Sequence, residues 1–314
     1  MLNSCADRDH GGGLDAAVHR FGGTRDDWID LSTGINAAAY PFTQPRRNAW
    51  TALPDTGACD ALIHAARRFW NVPDSAAILA VPGLSAAIAQ IPRLAPAGRV
   101  SKPAPTNTEH AASFAAAGWQ VSDEAPTAQV IVHPNNPDGR VWTAADLTAP
   151  LRIIDESFCD VMPNRSLVAH AADSHTLVLK SFGKFWGLAG LRLGFVIGNQ
   201  THIDQLSQML GPWPVSGPAL AIGLQALSDP DWAMAHRAQL QTDATRLDQL
   251  FTAAGADVAG GTDLFRLYAV DDASAWQARL ARHHIWTRIF PYSDTWLRIG
   301  PPPASAWDRG EAAL

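Results

Sequence analysis

Cysteine is scarce and badly placed for cross-linking. Cys5, Cys59 and Cys159 are the three in 314 residues, and none forms a CxxC pair. An odd, scattered set excludes a disulfide framework and a thiolate zinc site, and it fits a reducing compartment. Charge is lean as well, at 17% of residues with a net value of −6. Nucleic-acid binders carry basic faces, so nucleic acid is excluded as the main partner. Long hydrophobic runs are missing. The most apolar stretch, 76–97, is broken by Pro82, Gly83, Gln90, Pro92 and Arg93, so no segment reads as a membrane span. The beginning, MLNSCADRDHGGG, lacks the apolar core of a secretory leader. No internal repeat or low-complexity tract occurs. These absences point to a soluble cytoplasmic protein with no metal site.

What is present is a globular composition, 47% hydrophobic, and enough chain for one large core or two modest domains. Apolar runs and helical patterns alternate through the middle. AAILAVPG (76–83), RVSKPAP (99–105), AQVIVHPNNPDG (128–139), LRIIDESF (151–158), HTLVLKSF (175–182) and LRLGFVIG (191–198) read as strands. Short, continuously apolar strands separated by helices predict a mostly parallel sheet covered on both faces. After it, 230–255 predicts a long helix, with Asp229 as cap and Pro230 in the first position. The fold class is therefore α/β. A large doubly wound sheet domain is expected over 45–205, and a smaller α+β domain from both chain ends, 1–44 and 206–314.

Three motifs carry chemistry. In LKSFGKFWGLAGLRLGF (179–195), Gly183-Lys184 is followed by Phe185, so the phosphate-loop pattern fails. Gly187, Gly190 and Gly194 precede a strand instead of opening a helix, so the dinucleotide fingerprint fails too. A lysine at a strand end beside aromatics is suited to Schiff-base chemistry, because a semi-apolar pocket lowers its pKa; a surface lysine in a loop is the other reading. HPNNPDG (133–139) follows a buried strand, at the edge where α/β proteins bind ligands, and also reads as a plain turn. In IIDESF (153–158), Asp155 ends an apolar strand and needs a cationic or N–H partner, unless it merely caps a helix.

Taken in order, N-N-P-x-G, D-E-x-F and S-F-G-K-x-x-G-L-x-G-x-R-x-G resemble the fold-type-I pyridoxal-phosphate enzymes of the class I/II aminotransferase family. The resemblance covers nearly the whole chain. It implies pyridoxal 5'-phosphate as cofactor and a homodimer. It assigns Lys184 to covalent attachment of the cofactor and proton transfer, and Asp155 to the pyridinium nitrogen. It assigns Asn136 to the phenolic oxygen, and Ser181, Arg192 and the Gly83-Leu84-Ser85 turn to the phosphate. Phe158 stands where many relatives carry a donating Tyr. Asn107 stands where they commonly carry an aromatic that stacks on the ring.

The two ends narrow the resemblance. HGGG (10–13), WIDLSTGINAAAYP (28–41) and IWTRIFPYSDTWLRIG (285–300) are similar to the cobalamin-pathway threonine-phosphate decarboxylases. That likeness implies Arg298 for the substrate carboxylate and Arg288 for the substrate phosphate. His10, Gly34, Ile35 and Asn36 would line the substrate end. The expected reaction is decarboxylation of L-threonine O-3-phosphate to (R)-1-aminopropan-2-yl phosphate. Amino transfer on histidinol phosphate or a similar amino acid phosphate is the alternative. GPPP (300–303) departs from the usual Gly-Leu-Pro after the carboxylate arginine.

Overall fold

The computed structural model describes residues 11–106 and 108–314. In chain order the elements are α1 (Leu14–Phe21), β1 (Ile29–Asp30), α2 (Asn48–Thr51), α3 (Thr56–Trp70), β2 (Ala77–Val81), α4 (Leu84–Gln90), β3 (Arg99–Ser101), α5 (Glu109–Ala116), β4 (Gln120–Val121), β5 (Ala128–Val132), β6 (Leu151–Asp155), β7 (Thr176–Ser181), β8 (Gly194–Gly198), α6 (Gln200–Leu210), α7 (Gly217–Leu227), α8 (Pro230–Ala253), β9 (Asp257–Thr262), β10 (Phe265–Ala269), α9 (Ala273–Ala281), β11 (Ile285–Trp286), β12 (Arg288–Phe290), β13 (Ser293–Ile299) and α10 (Trp307–Ala313). They form two compact units. Among the described residues, one comprises 39–136 with 140–234, and the other 11–38, 137–139 and 235–314.

The first unit is built on a seven-stranded sheet in the order β2-β8-β7-β6-β5-β3-β4. Strands β3 to β7 run parallel to one another, and β8 runs antiparallel to both β2 and β7. Side chains alternate between the two faces of each strand. Val130, Ile153, Leu177, Leu179 and Val196 pack with Leu84, Ile88, Phe114 and Ile203 from α4, α5 and α6. On the other face Phe195 meets Trp70, the last residue of α3, edge-on at 5.0 Å. Burial on both faces is why these strands read as unbroken apolar runs. One expectation is corrected. The β5–β6 and β6–β7 crossovers contain only short 3-10 turns, at 144–146, 159–161, 163–165 and 168–172, rather than α-helices. Prolines at 137, 150 and 163 remove the N–H groups a helix there would need.

This unit runs on to 234, beyond the boundary expected at 205. The reason lies in α7, GPALAIGLQAL, which is apolar nearly all round and therefore buried. It packs on α3. Ser216 caps α7, and Asp229 caps α8 by accepting from Trp232 N–H at 3.0 Å.

The second unit has an antiparallel sheet, β12-β13-β10-β9, and a two-stranded parallel pair, β1-β11. Phe251 of α8 stacks on Tyr268 of β10 at 4.5 Å, amid Leu247, Trp276, Leu297 and Trp307. The short stretch 137–139 belongs here because Gly261 N–H donates to Asp138 O at 2.9 Å. Gly139 holds φ +74, and a Cβ there would lie 2.0 Å from Gly261 O, so only glycine fits.

Candidate functional site

Asp155 is the last residue of β6, 3% exposed, and it faces α5. His110 of α5 donates from Nε2 to its Oδ2 at 2.8 Å. Ser157 donates twice to Oδ1, from N–H at 3.0 Å and from Oγ at 2.5 Å. Burial alone would push this carboxyl up. The hydrogen bonds from His110 and Ser157 outweigh it and hold the group below the ordinary carboxylate range. Asp155 is thus an anion fixed at a strand end, with the partners its burial demands and without a helix to cap.

Lys184 follows β7 in a half-buried loop, and its Nζ lies 5.1 Å from the centre of the Phe158 ring. Phe158 is itself three residues after Asp155 and buried. Phe182 and Trp186, both fully buried, bracket Lys184 and stack on each other at 5.2 Å. Ser181, at the end of β7, accepts at Oγ from Gly183 N–H at 3.1 Å. Asn136 is half-buried after β5. The adjacent Asn135 holds that turn through N–H to Arg140 O at 2.8 Å and Nδ2 to Pro105 O at 2.9 Å.

Gly83, Leu84 and Ser85 enter α4 directly from β2. Gly83 has φ +80, and a Cβ on it would lie 2.4 Å from Arg192 Nη2. The glycine therefore lets a guanidinium lie against a turn that presents backbone N–H groups. That donor set suits a phosphate. Arg192 is exposed and donates from Nη1 to Ala189 O at 3.0 Å.

The second unit carries the arginines. Arg288 of β12 and Arg298 of β13 are direct cross-strand partners. Arg298 is 4% exposed, lies 5.4 Å from the Phe265 ring centre and donates to Ser32 O. Burial first, and then the Arg288 charge, push its pKa down to about 10. Like charges placed opposite each other on a sheet repel. Arg288 also lines a cavity of about 390 Å³, with Ser32, Thr287 and Phe290. Gly34 holds φ +64, and Ile35 is half-buried. Asn36 is buried; its Oδ1 accepts from Ala38 N–H at 3.0 Å, and its Nδ2 donates to His236 Nε2 at 2.5 Å. Burial lowers the His236 pKa, which favours its neutral form. His10 and Asn107 lie outside the described residues.

Sequence reading missed His110 and Ser157. A histidine on the apolar face of EHAASFAAAG was the available signal for the first; nothing distinguished the second. It also missed a buried ionic group on the opposite face of the sheet. Lys180 Nζ pairs with Glu156 at 2.5 Å and Asp160 at 3.6 Å, and Asp160 accepts from the indoles of Trp70 and Trp186. His133, Glu156 and Cys159 come together there with metal-like spacing. Yet His133 already accepts from Trp142 N–H at Nδ1 and donates to Arg165 O from Nε2.

The aminotransferase class I and II family model matches residues 56–308. A threonine-phosphate decarboxylase of Sinorhizobium sp. is 40% identical, over 96% of this chain and 95% of that protein. A threonine-phosphate decarboxylase of Pseudomonas aeruginosa is 36% identical, over 98% and 97%. The histidinol-phosphate aminotransferase structure of Sinorhizobium meliloti, solved with pyridoxal-5'-phosphate, superposes with a TM-score of 0.79 at 17% identity, over 96% of this chain and 94% of that one. That likeness is one of fold. The motifs, the strand-end geometry and the near-complete matches agree: the chain belongs to the aminotransferase class I and II family.

Proposed function

We propose that the chain is a pyridoxal-phosphate-dependent decarboxylase that converts L-threonine O-3-phosphate to (R)-1-aminopropan-2-yl phosphate in cobalamin biosynthesis. The residues present fit the cofactor. A buried anion, Asp155, suits a cationic ring nitrogen. The cradle of Gly83 against Arg192, with the α4 turn and Ser181, suits a phosphate. When bound, pyridoxal phosphate supplies a cationic ring that draws electrons from the substrate Cα. Lys184 would supply the amine that holds the cofactor aldehyde, and Lys184 or a water would return the proton to the substrate Cα. Asn136 donates to the phenolic oxygen, a task that falls to it because the phenyl ring of Phe158 has no O–H.

The observation that carries the substrate is the Arg288–Arg298 pair. Two opposed guanidiniums match a substrate with two anionic groups, a carboxylate for Arg298 and a phosphate for Arg288. Histidinol phosphate has no carboxylate to offer Arg298. Positioning by these two clamps decides which Cα bond breaks. Asn36, held by His236, completes the substrate end with Gly34 and Ile35. We further propose a cytoplasmic homodimer. No helix among the described residues is long and apolar enough to cross a membrane.

The test is incubation with L-threonine O-3-phosphate, following CO2 and the phosphorylated amino alcohol. Both should appear, and Lys184→Ala should abolish them along with the visible cofactor band. Turnover of histidinol phosphate with 2-oxoglutarate, without CO2 from threonine phosphate, would overturn the assignment.

A further inference from the structure

On the reading that the chain holds pyridoxal phosphate, we infer that Ser157 is a positioning residue that reserves one oxygen of Asp155 for the cofactor ring nitrogen. A carboxylate offers two oxygens with about four lone-pair sites. Oδ1 receives both the N–H and the O–H of Ser157, at 3.0 and 2.5 Å, so its capacity is filled. Among the described residues Oδ2 receives only His110 Nε2, at 2.8 Å, and keeps a lone pair for one more donor. With a donor set on each oxygen, from a turn on one side and a helix on the other, the carboxylate plane is fixed. The ring nitrogen's proton then has a single acceptor, Oδ2.

The neighbouring charges do not compete for this role. Glu156 is turned to the other face of the sheet and bound by Lys180. His110 is the titratable group against Asp155 from α5, and Lys184 stands over Phe158. Asp155 is almost fully buried, so bulk water does not replace a lost hydroxyl easily. Two donors on Oδ1 also stabilise the anion, which makes Asp155 a weaker base and leaves the shared proton on the nitrogen.

The test titrates cofactor-free protein with pyridoxal phosphate, following quenching of tryptophan fluorescence, from neutral to mildly acid pH. In Ser157→Ala the dissociation constant should rise about tenfold, as expected for losing one hydrogen bond to a charged group. The loss of affinity on acidification should begin at higher pH, because a less stabilised carboxylate protonates sooner. Ser157→Thr keeps the hydroxyl and should restore both. In the loaded enzyme kcat should fall in Ser157→Ala while KM holds. A folded alanine variant with wild-type affinity and an unmoved acid limb overturns the inference. If alanine does not fold, Ser157→Cys, a weaker donor of similar shape, must bind less tightly than Ser157→Thr; equal binding overturns it too. Failure of the wild type to bind pyridoxal phosphate would remove the cofactor reading itself, a distinct result.

Discussion

Asp155 shows how much one side chain depends on contacts that sequence order hides. Its place at the end of an apolar run made it legible, as did Lys184 by its spacing to Ser181 and Arg192. Its partner His110 is 45 residues away in the chain, and only the fold brings the two together. The charge state has a measurable consequence. The folded carboxyl lies below its ordinary value, so the stability it contributes is complete above that ordinary value. It is lost as pH falls through the depressed folded value. The difference in urea-unfolding free energy between wild type and Asp155→Asn should be flat from neutral pH to about 5 and shrink below about 4. A difference that persisted unchanged into strong acid would refute the assignment of charge. The arginine pair makes a second residue-scale prediction. Inorganic phosphate should raise the melting temperature of the protein loaded with pyridoxal phosphate, whose own phosphate fills the proposed cradle of Gly83 and Arg192, by neutralising Arg288 and Arg298, since a ligand that binds only the folded state stabilises it. In Arg288→Ala the rise should shrink by more than half. An equal rise in both proteins would mean that phosphate acts elsewhere.

At the scale of elements, the alternation of side chains sorts β6 and β7 into two functions. Asp155 and Ser181 lie on the face that α4 and α5 cover, the side of the proposed cofactor cradle. Glu156 and Lys180, one residue removed, face the opposite side and form the buried ionic group. The strands themselves were legible because burial on both faces leaves continuous apolar runs. The ionic group was not, because Glu156 and Lys180 meet only once β6 and β7 lie side by side in parallel register. The lysines of this sequence are Lys102, Lys180 and Lys184, and one of them is committed entirely to this pairing. Glu156 and Asp160 together hold the Lys180 ammonium charged, with its pKa raised against the cost of burial. Removing the cation alone leaves two buried carboxylates without it. Lys180→Met should therefore cost about 3–5 kcal/mol in urea unfolding. Converting Lys180, Glu156 and Asp160 together to Met, Gln and Asn should recover part of that loss. If the triple variant were the less stable, the group's value would lie in its hydrogen bonds rather than in balanced charge: Asp160 accepts from the Trp70 and Trp186 indoles, and Glu156 from Ser166 Oγ and Leu167 N–H.

For the whole molecule, sequence reading captured the α/β class but placed the end of the sheet unit short of α7. The apolar composition of that helix signals burial, but it does not say against which unit. Quaternary structure was reached only through resemblance, and the surface now supplies a physical handle on it. Trp50, Leu53 and Trp213 are 64%, 64% and 57% exposed. They line one groove of about 400 Å³ in the sheet unit, with Ala49, Leu191 and Val215. Trp213 holds φ +53, a backbone conformation that a bulky residue rarely adopts. Exposed indoles clustered on one face are costly in water and typical of interface centres. A second copy of the chain is the occupant that the proposed homodimer supplies, burying about 800 Å² on each partner. Sedimentation at micromolar concentration should give twice the 33.6 kDa chain mass. The double variant Trp50→Ser/Trp213→Ser should dissociate, with its far-ultraviolet circular dichroism intact. A wild type that sediments as a monomer refutes the dimer, and a dimer that persists in the double variant moves the interface to another face.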